Sequence, residues 1–104
     1  MARKPATGPA SDPELLILSS LASGAKHGYA IMADVEDTLG VTLGPGTLYT
    51  AISRLVERKL VVPDPTTGRQ RPYRLSPKGA AVLEERLTAM RRVALLGLRR
   101  LRTV

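Results

Sequence analysis

Hydrophobic and polar positions change period several times along the chain, and each change marks an element. Leu15, Leu16, Ile17, Leu18 and Leu21 leave almost no polar face, so a helix there must be buried on several sides. Ser11-Asp12-Pro13-Glu14 starts it: Ser or Asp can cap free N–H groups, Pro is tolerated in the first turn, and Glu suits the positive end of the dipole. This helix is expected to run to about Ser23, with Gly24 as its stop. Lys26-His27-Gly28-Tyr29 opens a second helix, in which Ile31, Met32, Val35 and Leu39 recur at helical spacing while Asp34, Glu36 and Asp37 point to water. Gly40 ends that helix. Gly44-Pro45-Gly46-Thr47 begins a third, reaching to about Lys59, with an apolar stripe of Leu48, Ala51, Ile52 and Leu55.

Next the period shortens. Leu60-Val61-Val62 and Tyr73-Arg74-Leu75 are strand-like runs, and the segment between them holds Pro63, Gly68 and Pro72. The prolines confine these runs to edge strands of a hairpin. Ser76-Pro77-Lys78-Gly79 then caps a last helix that would be roughly 43 Å long if it reached the C-terminus. Ala80, Leu83, Leu87, Met90, Ala94, Leu98 and Leu101 form one stripe at alternating three- and four-residue steps, and Val82, Ala89, Val93 and Leu96 form a second. Two apolar faces need two partners. One is expected to pack on the chain's own domain and the other on a second copy, in an isologous dimer. A basic amphipathic helix lying on a membrane is the competing reading, disfavoured by the absence of Trp and Phe.

The predicted class is therefore mostly α with a small β-hairpin, a winged helix-turn-helix followed by a long dimerisation helix. Three segments are expected: a disordered basic tail over residues 1–11, a winged helix domain over 12–75, and the dimerisation helix over 76–104. At 104 residues and 43% hydrophobic content, one modest core is what the chain can build.

Charge sharpens the picture. The net charge of +7 points to a polyanionic partner, because clustered Lys and Arg release counterions from phosphates. The basic excess begins at Arg69 and runs to the C-terminus. On the third helix, the face opposite the apolar stripe carries Thr50, Ser53, Arg54 and Glu57, flanked by Thr47 and Tyr49. Short hydroxyls, one Tyr and one Arg are side chains able to bond base edges and phosphates, although an ordinary solvated helix face would carry similar residues. Arg69 and Arg71 at the hairpin tip fit a wing lying on the sugar-phosphate backbone or in the minor groove.

Other classes lose ground. One His and no Cys, without clustered carboxylates, leave no evident nucleophile, base or metal site, so neither an enzyme nor a cofactor is expected. No apolar run approaches a bilayer span and residues 1–11 lack the apolar stretch of a signal peptide, from which a cytoplasmic location is expected.

In order and spacing, Leu15 to Leu21, Lys26-His27-Gly28-Tyr29, Gly46-Thr47-Leu48-Tyr49, Arg54-Leu55 and Tyr73-Arg74-Leu75-Ser76-Pro77-Lys78-Gly79 resemble the core signature of the PadR family of transcriptional regulators. The likeness covers about residues 12–90, and the length is similar to the short subgroup without an additional C-terminal domain. It implies repression by binding double-stranded DNA as a homodimer, relieved by a small-molecule effector or stress signal. By the same likeness Thr47, Tyr49, Thr50 and Arg54 would face the major groove, while Lys26, His27 and Tyr29 would support the helix-turn-helix and its phosphate contacts. Arg69 and Arg71 would sit on the wing, and Leu83, Leu87, Met90, Ala94, Leu98 and Leu101 would form the dimer face. Two departures stand out. Lys59 occupies the place where a Gly commonly ends the recognition helix in that family. The chain also lacks the Trp residues with which some short members hold flat aromatic drugs.

Overall fold

The computed structural model describes residues 12–65 and 71–103. Its order is α1 (Pro13–Leu21), α2 (Gly28–Leu39), α3 (Pro45–Glu57), β1 (Val61–Pro63), β2 (Tyr73–Leu75) and α4 (Pro77–Arg102). Three helices, a two-stranded antiparallel hairpin and a long final helix make a winged helix fold. The tail expected over residues 1–11 lies outside the described residues.

α1 is the centre of the molecule. Leu15, Leu16, Ile17, Leu18, Ser20 and Leu21 are all buried, and the helix packs on α2, α3, α4 and β2. Complete burial of a side chain such as Ile17 contributes roughly 1.5–3 kcal/mol. Asp12 caps α1 by accepting the Leu15 N–H at 3.1 Å. The helix stops at Leu21, earlier than the sequence suggests, its last turn tightening into i→i+3 hydrogen bonds before Gly24 (φ 141°), and the Lys26 ammonium closes this end by donating to the Ser20 carbonyl at 2.5 Å and to Ser23 Oγ at 2.6 Å.

Ile31 and Val35 of α2 are buried, but Leu39 is 55% exposed: the chain turns away at Gly40 (φ 68°) and Leu43 enters the core downstream. The apolar stripe of α3 is buried as its spacing predicts, at Leu48, Ala51, Ile52 and Leu55. That helix ends at Glu57. Arg58 caps it, and Lys59 takes a left-handed φ of 62°, the one non-glycine to do so among the described residues.

In the hairpin, Val61 pairs with Leu75, Val62 with Arg74 and Pro63 with Tyr73. Pro63 is inside β1 rather than beyond it, and the register explains why. Tyr73 directs both backbone groups away from Pro63 to Lys26, donating to the Lys26 carbonyl at 2.8 Å and accepting its N–H at 3.0 Å. No donor is needed from Pro63 at that pair. Both strands are edges of a two-stranded sheet, as expected, and β2 is in addition anchored at Tyr73 to the α1–α2 connection. On the loop side of these pairs, Asp64 accepts from Arg74 at 3.2 Å.

Ser76 caps α4, its Oγ accepting the Gly79 N–H at 2.9 Å. Leu83 is buried in the domain core and Val82 packs against it. From Leu87 onward every described residue of α4 is exposed.

Candidate nucleic-acid interface

The exposed face of α3 gathers most of the residues singled out in the sequence. Thr47, Thr50, Ser53, Arg54 and Glu57 are all exposed, opposite the buried stripe. Thr47, Thr50 and Arg54 border a hollow of about 490 Å³ that reaches Pro13 and Glu14 at the start of α1. Glu14 is itself engaged, accepting from Arg58 at 2.8 Å, which ties the far end of α3 to α1, while Arg54 has no ion pair among the described residues.

The beginning of α3 differs from that of the other helices. Asp12, His27 and Ser76 cap α1, α2 and α4 with side chains, whereas Gly44 precedes α3 and offers none. Gly44 has an ordinary negative φ, and a Cβ at Gly44 or Gly46 would meet no atom of the described residues within 4 Å. Among the described residues neither packing nor backbone conformation therefore calls for glycine at these positions. Together they leave the first N–H groups of α3 open to a group approaching from outside.

The remaining candidates divide. Tyr49 is 44% exposed, but its ring lies in a notch at Gly28, where a methyl group would meet Tyr49 Cζ at 2.8 Å. It braces α3 against the start of α2 while keeping an edge to solvent. His27 caps α2, Nδ1 accepting the Ala30 N–H at 3.3 Å, and Tyr29 beside it is 70% exposed. Lys26 is half-buried: its ammonium bonds the C-terminal end of α1, as described above, and so braces the helix-turn-helix. Arg71 is exposed at the mouth of a hollow of about 330 Å³ between α3 and the wing, lined also by Ser53, Val56, Glu57 and Tyr73. Arg69 lies outside the described residues.

On α4, Leu83 belongs to the domain core and is not free to form a second interface. Leu87, Met90, Leu98 and Leu101 are 37–74% exposed, as are Val93 and Leu96 of the second patch, and Ala94 is exposed with them. Arg91, Arg92, Arg99, Arg100 and Arg102 are exposed on the same helix. Among the described residues no helix is long and apolar enough to cross a membrane, and no group of three metal-ligating side chains occurs.

A helix-turn-helix whose second helix presents a polar face, a hairpin beside it and a long projecting helix define the winged helix class of transcriptional regulators. The model of the transcriptional regulator PadR-like family matches residues 17–85, and the chain belongs to that family. It is 45% identical over 84 residues to an uncharacterized 37.1 kDa protein in transposon TN4556 of Streptomyces fradiae, covering 81% of this chain. The chain spans 24% of that relative's length. Among solved structures it is similar to a PadR family transcription regulator from hypervirulent Clostridium difficile R20291, with TM-score 0.73 and 26% identity, over 81% of this chain and 92% of the other. A PadR-like transcription factor from Bacteroides fragilis shares the fold, with TM-score 0.71 and 22% identity over 84% and 87% of the two chains.

Proposed function

We propose that this chain is a homodimeric repressor that binds an inverted-repeat operator in the cytoplasm and is released by a small-molecule effector. The observation that carries the reading is the start of α3, where an uncapped helix N-terminus, two sterically unconstrained glycines and the exposed Thr47, Thr50 and Arg54 lie together. The free N–H groups and the helix dipole suit a backbone phosphate, and glycine lets that phosphate approach the main chain closely. With the N-terminus of α3 so placed, Thr50 and Arg54, one and two turns along, meet base edges in the major groove. Arg71 serves as a backbone contact from the wing, positioning the protein without reading sequence.

The free stripe on α4 supports the dimeric part of this reading. Leu87, Met90, Ala94, Leu98 and Leu101 share one side of a helix that leaves its own domain, and a second copy supplies the cover they lack. Two recognition helices about 34–36 Å apart then meet successive major grooves.

The test is binding of the purified protein to its own promoter region, and to random duplex libraries, at physiological salt, with footprinting of any selected site. A protected inverted repeat, bound roughly 10³-fold or more tightly than random duplex, is expected. Equal binding to all duplexes would identify a packaging protein, and absence of duplex binding would identify a module for protein contact.

A further inference from the structure

Three successive carbonyl groups follow the end of α3, and the start of α4 takes all three. The Arg58 carbonyl accepts from Lys78 Nζ at 3.3 Å, the Lys59 carbonyl from Ser76 Oγ at 2.6 Å, and the Leu60 carbonyl from the Ser76 N–H at 3.0 Å. The same Ser76 hydroxyl accepts the Gly79 N–H, so one side chain, in a residue only 8% exposed, both closes the turn after α3 and starts α4. Gly79 completes the joint. A methyl there would meet the Leu60 carbonyl carbon at 2.9 Å and its oxygen closer still, so α4 lies directly on the main chain of the connection. A second tie lies further along, where Arg86 donates to Asp12, the cap of α1.

A joint of this kind transmits orientation. Residues 58–60 have no freedom to bend relative to α4 without breaking hydrogen bonds that, around buried Ser76, have no water to replace them. In a dimer built on α4, the direction of each α3 relative to the two-fold axis is then set by the protein rather than by the DNA. Lengthening an operator by one base pair displaces one half-site by roughly 3.4 Å and rotates it by about 35°. A stiff joint does not follow that change.

We propose that Ser76 and Gly79 are positioning residues that make the repressor selective for the spacing between half-sites, through the lock they form between the recognition helix and the dimerisation helix. This rests on the dimeric reading above. The chain contains no Cys, so Ser53→Cys on the exposed face of α3 gives one spin-label site per subunit, and pulsed dipolar spectroscopy of the free protein then reads the separation of the two recognition helices. Parallel binding measurements use unlabelled protein and the selected repeat with its centre lengthened or shortened by one base pair.

For the parent protein a single narrow distance is expected, with about 10-fold or greater preference for one spacing, the penalty typical of one mismatched base pair. Ser76→Ala should broaden the distance distribution and reduce the spacing preference to about threefold or less, while affinity for an isolated half-site stays unchanged. Ser76→Thr, which keeps the capping hydroxyl, should restore both. If Ser76→Ala does not fold, Lys78→Ala, which removes only the exposed link to Arg58, should give a partial loss of spacing preference, and an unchanged preference in it overturns the proposal. A narrow distance and full spacing preference in a folded Ser76→Ala dimer overturn it equally. Absence of any inter-label distance in the parent protein would instead refute the dimer itself.

Discussion

Lys59 offers a test in which the side chain and the backbone predict opposite signs. It stands at φ 62° immediately after the recognition helix, where a residue with a Cβ crowds its own carbonyl at a cost of roughly 1–2 kcal/mol. Its backbone contacts do not depend on its identity: the N–H donates to the Val56 carbonyl at 3.0 Å and the carbonyl accepts from Ser76 Oγ. The side chain is exposed and makes no hydrogen bond or ion pair among the described residues. Lys59→Gly should relieve the crowding and give back about 0.4–1 kcal/mol through the greater freedom of the unfolded chain. At the centre of these ranges the net is a stabilisation of about 0.8 kcal/mol, which for a domain of this size raises the melting temperature by about 3–6 °C. Thermal unfolding followed by far-ultraviolet circular dichroism, at one protein concentration and pH, measures it. Lys59→Ala is the control, because it removes the same charge and keeps the Cβ. An equal gain in both variants would assign the effect to charge, and a loss in Lys59→Gly would refute the backbone argument altogether.

Four further outcomes are expected. Arg54→Ala should weaken operator binding by about 1–3 kcal/mol and relax selectivity at one base position; the same weakening on every duplex would make Arg54 a phosphate contact. Arg71→Ala should lower the salt dependence of binding by about one phosphate contact with little change in sequence preference, and an unaltered salt slope would remove the wing residue from the interface. Leu98→Glu, at a half-exposed position on the free stripe, should yield folded monomers in sedimentation equilibrium, and a persisting dimer would place the interface elsewhere. Asp12 gives the pH prediction. Partial burial pushes its carboxyl up, but the Leu15 N–H, the Arg86 hydrogen bond and charge, and the Glu14 N–H outweigh this and hold it below the usual range. A depressed carboxylate contributes stability that is fully present above its unfolded value, near pH 4, and is lost as pH falls through its lower folded value. Asp12→Asn should therefore be less stable than the parent protein at pH 7 and converge with it in acid, and a difference that stayed constant with pH would mean that the ion pair contributes nothing.

The regular elements were legible because their periods and caps are local. The stripe of α3 and the Pro-containing first turns of α1, α3 and α4 need only neighbours in sequence to be read. What the sequence concealed depends on partners far along the chain. Leu39 has the spacing of a core residue yet is exposed, because the turn at Gly40 brings Leu43 into the core instead. Leu83 lies on the same stripe as Leu87 and Leu98, and the position of the domain rather than any periodicity decides that it is buried at home. That Lys26 supports the helix-turn-helix followed from the family likeness, but its partner, the carbonyl of Ser20, was not legible. Lys59 was visible as a departure from the family pattern, but its left-handed backbone was not, because nothing in the residue type announces it. Ser76 could be read as a cap, but the three carbonyls that it and Lys78 satisfy lie across the hairpin connection.

The central position of α1 also bears on how the chain acquires its structure. This helix has no polar side to offer water, and its partners in α2, α3, β2 and α4 all follow it in synthesis. A nascent chain therefore cannot cover Leu15 to Leu21 completely until the segment containing Leu83 has left the ribosome. Until then part of its apolar surface faces water, and that interval is when the chain is most exposed to aggregation.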